Sequence, residues 1–257
     1  MKKRLDILLV ERGLAESRTQ AQALVLAGLV PGYEKPGHQV DESAELSIEA
    51  PPRYVSRGGE KLANALAQVE VELDGRDCLD LGASTGGFTD ALLQRGAAAV
   101  VAVDVGYGQL AEPLRRHPAV TVHDRLHVRD ATAEGIGGAG DIVVADLSFI
   151  SLANVAGALA RLGNDTASWV LLVKPQFEAG REAVGRTGVV QDPEVWQHAL
   201  GAVIEALTRV GLGVLAVVPS RLPGTKGNKE FFVHARRGCA TVTPHDIHLA
   251  VTTAGTL

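Results

Sequence analysis

The sequence predicts an α/β protein in which a seven-stranded, mostly parallel sheet with helices on both faces follows a small N-terminal α+β unit. Three observations predict it. From residue 77 onward, short apolar runs alternate with helical patterns. The first of these runs passes into a glycine-bearing turn, Cys78-Leu79-Asp80-Leu81-Gly82-Ala83-Ser84-Thr85-Gly86-Gly87-Phe88, which reads as strand, turn and helix start. The prolines Pro51 and Pro52 divide this region from some fifty residues with turn signals and short helices of their own.

Composition narrows the class further. A chain of 257 residues with 46% hydrophobic content can bury one large core and one small one. The net charge of −5 gives no global basic field, so any nucleic-acid site must be a local patch. Cys78 and Cys239 have neither metal-ligand nor disulfide-framework spacing, which points to a reducing, cytoplasmic setting without a metal. The N-terminal apolar run meets Glu11 and Arg12 too early for an export signal. The longest uncharged segment, 147–160, is shorter than the roughly 18 residues a membrane helix needs.

Residues 1–50 form the first expected domain. Leu5, Leu8 and Leu9 share one face of a helix that Gly13 ends. Ser17 and Gln20 make a capping box for a second helix bearing Ala21, Leu24 and Val25, with Gly28 at its end. Leu29-Val30, the turns Pro31-Gly32 and Pro36-Gly37, and the alternating Glu45-Leu46-Ser47-Ile48 predict a β-hairpin packed on these helices. Residues 51–56 are the expected linker, and 57–257 the second domain. There, Leu62, Ala65, Leu66 and Val69 give the first helix an apolar face, with Lys61 near its start.

Strands are expected near 78–81, 99–104, 119–123, 141–146, 168–174, 213–219 and 230–235, and helices near 87–94, 151–162 and 193–210. The last two strands are joined too closely for a crossover and should form an antiparallel hairpin. Six parallel strands and one reversed strand are the Rossmann-like arrangement of S-adenosylmethionine-dependent methyltransferases. Thr243-Pro244, followed by Ile247, Leu249, Ala250 and Val251, predicts a final helix.

The glycine turn suits a ligand without phosphates. Gly82, Gly86 and Gly87 give G-x-x-x-G-G, unlike the dinucleotide G-x-G-x-x-G. S-adenosylmethionine fits, with its amino-acid end against the turn and its ribose at Asp104, which closes the next strand 24 positions after Asp80. Four further ionisable residues stand at strand ends or a helix start: Lys61, Asp146, Lys174 and Glu230. Any one of them alone could be a structural ion-pair partner, whereas four such residues gathered at one end of a sheet point to a site. The segment 179–191, with Arg181, Glu182 and Arg186, is a long loop expected to contact RNA phosphates.

The first domain, with Arg4-Leu5-Asp6, Glu11-Arg12-Gly13-Leu14, Ser17-Arg18 and Lys35-Pro36-Gly37, resembles the αL RNA-binding fold named after small-subunit ribosomal protein S-four. That resemblance implies RNA contacts at Arg4 and Arg18. Over both domains, Ser56-Arg57-Gly58 with Lys61-Leu62, Asp80 to Thr89, Asp104 to Leu110, Ala145 to Ser151, Val173 to Glu178, Gly188 to Pro193 and Gly227 to Phe232 resemble the TlyA family. These are ribosomal-RNA cytidine 2′-O-methyltransferases, also called haemolysins, with an FtsJ-like catalytic domain. The chain departs from the family at Asp124-Arg125-Leu126-His127, where the family often has Arg-Thr-Asn.

The resemblance implies a catalytic tetrad of Lys61, Asp146, Lys174 and Glu230. Because a ribose hydroxyl is a poor nucleophile that benefits from a base, the chemistry then gives Lys174 as the expected general base, with the other three orienting it and the ribose. It implies cofactor contacts at Asp80, Gly82, Ala83, Ser84, Thr85, Gly86, Gly87, Phe88, Asp104, Val105, Asp124 and Asp146, and RNA contacts at Arg57, Arg181 and Arg186 besides the two N-terminal arginines. The expected partners are ribosomal RNA and ribosomal subunits, with no membrane and no obligate protein partner. A non-catalytic RNA-binding or assembly factor and a haemolysin are the competing readings.

Overall fold

The computed structural model describes residues 2–50, 52–180, 184–185 and 187–256. The chain folds as two compact units, Met1–Arg53 and Tyr54–Leu257. In the first, β1 (Lys2–Arg4) runs into α1 (Leu5–Glu11), which places Leu5, Leu8 and Leu9 in a small core. Gly13, at φ +69°, turns the chain beyond α1. In α2 (Arg18–Leu26) the Ser17 hydroxyl accepts from the Gln20 amide at 3.2 Å, and Gln20 Oε1 accepts from the Glu16 amide at 2.6 Å. Ala21 and Val25 complete the contact with α1, and Val30 and Val40 fill the same core.

The expected hairpin is absent. β2 (Gln39–Asp41) pairs antiparallel with β1, Lys3 standing opposite Val40. Residues 45–50 form no strand, and the Glu49 amide makes a lone bond to the Leu29 carbonyl at 2.8 Å. The chain's own N-terminal residues supply the partner that Val40 needs to remain buried. The alternation at 45–48 serves instead to lay the half-buried Leu46 on the core.

The second unit begins inside the expected linker. Pro51 lies outside the described residues, whereas Tyr54 is buried with Leu62 and Phe88, and Ser56 is the N-cap residue of α3 (Arg57–Leu66). Seven strands follow: β3 (Asp77–Leu81), β4 (Ala99–Asp104), β5 (Val120–Asp124), β6 (Gly140–Ala145), β7 (Gly163–Val173), β8 (Leu212–Pro219) and β9 (Phe231–Arg237). Their order is β5-β4-β3-β6-β7-β9-β8. The first five are parallel, and β9 lies antiparallel between β7 and β8. β7 starts earlier than expected, with an irregularity where Gly140 and Ile142 pair with it.

Period-two alternation sorts the side chains to the two faces. Leu79, Leu81, Val143, Ala145, Trp169 and Leu171 face one core, while Cys78, Ile142, Val144, Val170 and Leu172 face the other. The first core is covered by α6 (Ala156–Leu162), α8 (Pro193–Arg209) and the capped C-terminal α9 (Pro244–Thr256). The second is covered by α3 and α4 (Gly87–Leu93). Two four-residue helices that the sequence reading did not foresee, α5 (Glu112–Arg115) and α7 (Pro175–Glu178), follow β4 and β7. Because β3 lies between β4 and β6, chain order reverses there, and a crevice opens beyond the carboxyl ends of those strands. Among the described residues no helix is long and apolar enough to cross a membrane.

Candidate active site

The turn after β3 brings three strand ends together. The Gly82 and Ala83 amides donate to the Val103 carbonyl at 2.8 and 3.2 Å, and the Asp146 amide donates to the Leu81 carbonyl at 3.0 Å. Gly82, at φ +84°, is required: a Cβ there would stand 2.6 Å from the Asp146 carbonyl oxygen. Gly87 is required for a second reason, since a Cβ would strike the first turn of α3 at Ser56 and Gly59. That close approach of α3 to α4 sets Lys61 beside the turn.

Asp104 is oriented by two backbone donors, the Ser84 amide at 2.8 Å to Oδ2 and the Gly106 amide at 2.7 Å to Oδ1. Beyond it lies a cavity of about 700 Å3, walled by Gly82, Ser84, Asp104, Val105, Asp146 and Phe149, with Leu126 to Arg129 on the far side. A smaller, polar pocket of about 210 Å3 shares Gly82, Ser84 and Asp146 and adds Arg57, Lys61, Ala83, Thr85, Gly87 and Phe88. The larger volume is within the 300–1,000 Å3 usual for small-molecule sites. Val103, Val105, Leu126, Val128 and Ile150 provide its apolar walls. Each Asp104 oxygen retains acceptor capacity beyond its backbone bond, so a ribose diol can be held there. These residues fit S-adenosylmethionine.

Two close ion pairs reach these pockets through Asp146 and Lys61. Lys61 Nζ donates to Glu230 Oε2 at 2.6 Å, from α3 to the residue just before β9. Lys174, at the end of β7, lies 2.6 Å from Asp146 Oδ1 and donates to Ser148 Oγ at 2.9 Å. Both lysine side chains are about nine-tenths buried, Glu230 more so, and Asp146 about one quarter exposed. The four residues that sequence reasoning grouped thus lie at one end of the sheet as two interacting pairs. Glu178 of α7 fastens the neighbouring loop, accepting from Ser151 Oγ at 2.5 Å and the Leu152 amide at 2.7 Å. Burial pushes its carboxyl above the ordinary range, against the pull of those hydrogen bonds.

A model of FtsJ-like methyltransferases matches residues 54–237, and an S4 domain matches residues 3–30. The 16S/23S rRNA (cytidine-2′-O)-methyltransferase TlyA of Mycobacterium tuberculosis is 48% identical over 240 residues, covering 91% of this chain and 89% of its own. The chain belongs to the TlyA family of FtsJ-like methyltransferases. It is a methyltransferase whose methyl donor is S-adenosylmethionine. Hemolysin A of Brachyspira hyodysenteriae is 35% identical over 90% of this chain and 98% of its own. A solved structure from Streptococcus thermophilus, also named a hemolysin, superposes with a TM-score of 0.78 at 39% identity, covering 99% of this chain and 96% of the other.

Against this TlyA-family site, several expected contacts fall elsewhere. Asp80 is fully buried behind the turn, where its Oδ2 accepts from the Thr89 hydroxyl at 2.6 Å; it is not on the cavity wall. Its burial pushes the carboxyl up to about 7. Gly86, at φ +97°, packs under Leu110 and Leu114 and also lies off the wall. Asp124 turns toward α5, where Arg115 binds both its oxygens at 3.2 and 3.0 Å. Asp124 stands in register with Asp104 on the neighbouring strand, so it is the Arg115 cation of α5 that engages it, and Leu126 to Arg129 line the cavity in its place.

Of the expected RNA contacts, Arg57 lines the small pocket and donates to the Pro223 carbonyl at 3.0 Å. Arg181 and Arg186 lie outside the described residues. In the first unit Arg4 grips the buried Asp6 with two bonds, at 3.0 and 2.9 Å, joined by Arg18 at 3.2 Å and Gln22 at 2.8 Å. The Arg4 guanidinium holds the Asp6 carboxyl well below the usual range. Both arginines keep about half of their side chains exposed.

Sequence reasoning did not single out Ser148, Gln109 or Phe149. Phe149 is 92% exposed, stands at φ +63° and has Phe177 5.3 Å away between ring centroids. The available signal was an aromatic residue just past the strand end at Asp146, with no apolar periodicity to hold it in a core.

Proposed function

We propose that the chain transfers a methyl group from S-adenosylmethionine to the ribose 2′-hydroxyl of a cytidine in ribosomal RNA, 23S, 16S or both. The observation that carries this reading is the pairing of Lys61 with Glu230 and of Lys174 with Asp146, of which Asp146 lines the donor cavity and Lys61 the adjoining polar pocket. The substrate class is supported by the similarity to the M. tuberculosis rRNA cytidine methyltransferase and by the S4 domain.

Bound S-adenosylmethionine supplies an electrophilic methyl group. The chain's part is to orient the ribose and take up a proton. Lys174, in its neutral form, accepts the proton from the 2′-hydroxyl, and Asp146 and Ser148 fix the position of its Nζ. Lys61, held by Glu230, donates hydrogen bonds to the ribose and limits its approach. Asp104 holds the donor's own ribose. Arg57 of the polar pocket, Arg4 and Arg18 on the S4 unit, and Arg181 and Arg186 engage RNA phosphates, and an assembled ribosomal subunit is the partner.

The test is to incubate the chain with methyl-labelled S-adenosylmethionine and unmodified 30S or 50S subunits, then map the label by mass spectrometry. A single 2′-O-methylcytidine is expected. Label on a base, or none on either subunit or on free ribosomal RNA while the cofactor binds, would overturn the reading.

A further inference from the structure

Beside the tetrad, the turn from Gly224 to Asn228 begins at the polar pocket, which Pro223 and Gly224 line. It is an unfavourable piece of backbone. Lys226 and Gly227 stand at φ +60° and +86°, two left-handed residues in succession, and the first carries a side chain that resists that conformation. The turn is closed by the Gly224 amide to the Asn228 carbonyl at 2.8 Å and the Gly227 amide to the Gly224 carbonyl at 3.1 Å. It also lies hard against the tetrad, since a Cβ at Gly224 would collide with Glu230 Oε1.

What anchors this turn is the side chain of Asn228, only 3% exposed. Its Oδ1 accepts from the Val190 amide at 2.9 Å, and its Nδ2 donates to the Gly188 carbonyl at 2.9 Å, so one amide grips both edges of a distant strip of backbone. That strip is fastened in turn to α8, where Trp196 Nε1 donates to the Val190 carbonyl at 3.0 Å. Hydrogen bonds therefore run from α8 through Val190 and Asn228 into the turn, which packs at Gly224 against the Glu230 carboxylate that holds Lys61. An amide suits the task because it carries a donor and an acceptor on two separate atoms, whereas a carboxylate has acceptors only.

We infer that Asn228 is a positioning residue for methyl transfer, setting the Glu230–Lys61 arm by latching its turn to Gly188–Val190. The inference rests on the proposed function for its kinetic part only. Asn228 is not among the residues that line the donor cavity or the polar pocket, so its loss should leave cofactor affinity alone.

The test uses the full chain with Asn228→Ala and Asn228→Asp, the latter retaining an acceptor for Val190. Hydrogen exchange should show the Val190 amide losing protection in Asn228→Ala and keeping part of it in Asn228→Asp, while the amides of β7 remain protected. Cofactor affinity by calorimetry should stay within about twofold, and kcat on ribosomal RNA should fall about tenfold, the scale of a lost hydrogen-bond latch. In a Glu230→Gln background, adding Asn228→Ala should cost less than about a further twofold, because both act on one arm.

Unchanged Val190 protection, or losses that multiply in the double variant, would overturn the inference. If the unsubstituted chain methylates no RNA, the functional reading fails instead, and the exchange measurement still decides the latch. Should Asn228→Ala not fold, Asn228→Asp carries the same comparisons.

Discussion

Replacing Lys174 separates catalysis from binding more cleanly than any other change in this chain. Its Nζ has two partners, Asp146 Oδ1 at 2.6 Å and Ser148 Oγ at 2.9 Å, and its side chain is about nine-tenths buried at the end of β7. A general base contributes roughly 10²- to 10⁴-fold, or about 2.7 to 5.4 kcal/mol at 1.36 kcal/mol per decade. Breaking a fully buried ion pair costs about 3 to 5 kcal/mol of stability, a figure to be reduced here because water reaches about a quarter of the Asp146 side chain. Lys174→Met is the better variant, since it keeps the stem packed near Phe177 and removes only the amine. We expect kcat and kcat/KM for methyl-label transfer to ribosomal RNA to fall together by at least about 10²-fold, as for an interaction realised only in the transition state. Cofactor affinity by calorimetry should stay within about threefold, because Lys174 does not line the donor cavity. A folded, cofactor-binding Lys174→Met that turns over at near the normal rate would refute the assignment of the base.

Gly82→Ala should abolish measurable cofactor binding in calorimetry, because its Cβ would meet the Asp146 carbonyl and its φ of +84° strains any side chain; unaltered affinity would mean that the two strand ends separate freely. Phe149→Ala should raise KM for RNA by about 5- to 150-fold, the range of a lost base–aromatic stack of 1 to 3 kcal/mol, and, since Phe149 also borders the donor cavity, weaken cofactor binding by less than that; an unchanged KM for RNA would remove Phe149 from the RNA-facing surface. Asp80 is raised from 3.8 to about 7, so the folded state binds the extra proton between those values and wild-type stability falls as pH rises through them, levelling off above 7. Asp80→Asn, which still accepts from Thr89, should therefore gain stability relative to wild type from pH 5 to pH 8 in urea melts, by on the order of a few kcal/mol, and a pH-independent difference would show that Asp80 is already charged at pH 5.

How much of this could be read in the sequence depended on whether a feature was local or a matter of register. The central strands were legible because they are apolar runs buried on both faces, such as Trp169 to Val173 or Ile142 to Ala145, with turn residues between, and the edge strand β5 was legible from the alternating valines Val120 and Val122 although it is only partly buried. The tetrad was legible because a charged residue at the end of an apolar strand has few reasons to be there. Asp146 and Lys174 follow strands that pair with each other, β6 and β7, and Lys174 lies two positions beyond the register partner of Asp146, which brings both to the same sheet end. That Lys61 would choose Glu230 and Lys174 would choose Asp146 could not be read, since it depends on how closely α3 approaches α4 through Gly59 and Gly87.

The misses share one cause: a residue's position in the chain does not give the direction of its side chain. Asp124 ends a strand as Asp104 does, yet its partner is Arg115, because α5 supplies a cation on that side and no backbone amides cradle its oxygens. Asp80 belongs to the same turn as Gly82, but alternation along β3 directs it inward, where Thr89 replaces solvent as its partner. The false hairpin has the same origin, since alternation at 45–48 describes a half-buried strip without naming the strand that would pair with it, and Lys2–Arg4 already occupied that place. Asn228 escaped notice for the opposite reason. It is a polar residue in a glycine-bearing segment, which reads as a solvated turn until its partners 38 and 40 positions away are known. Site residues that act through charge at strand ends are therefore visible in a sequence of this kind, whereas those that act by holding two loops together become visible only once the hydrogen bonds of the buried amides have been traced.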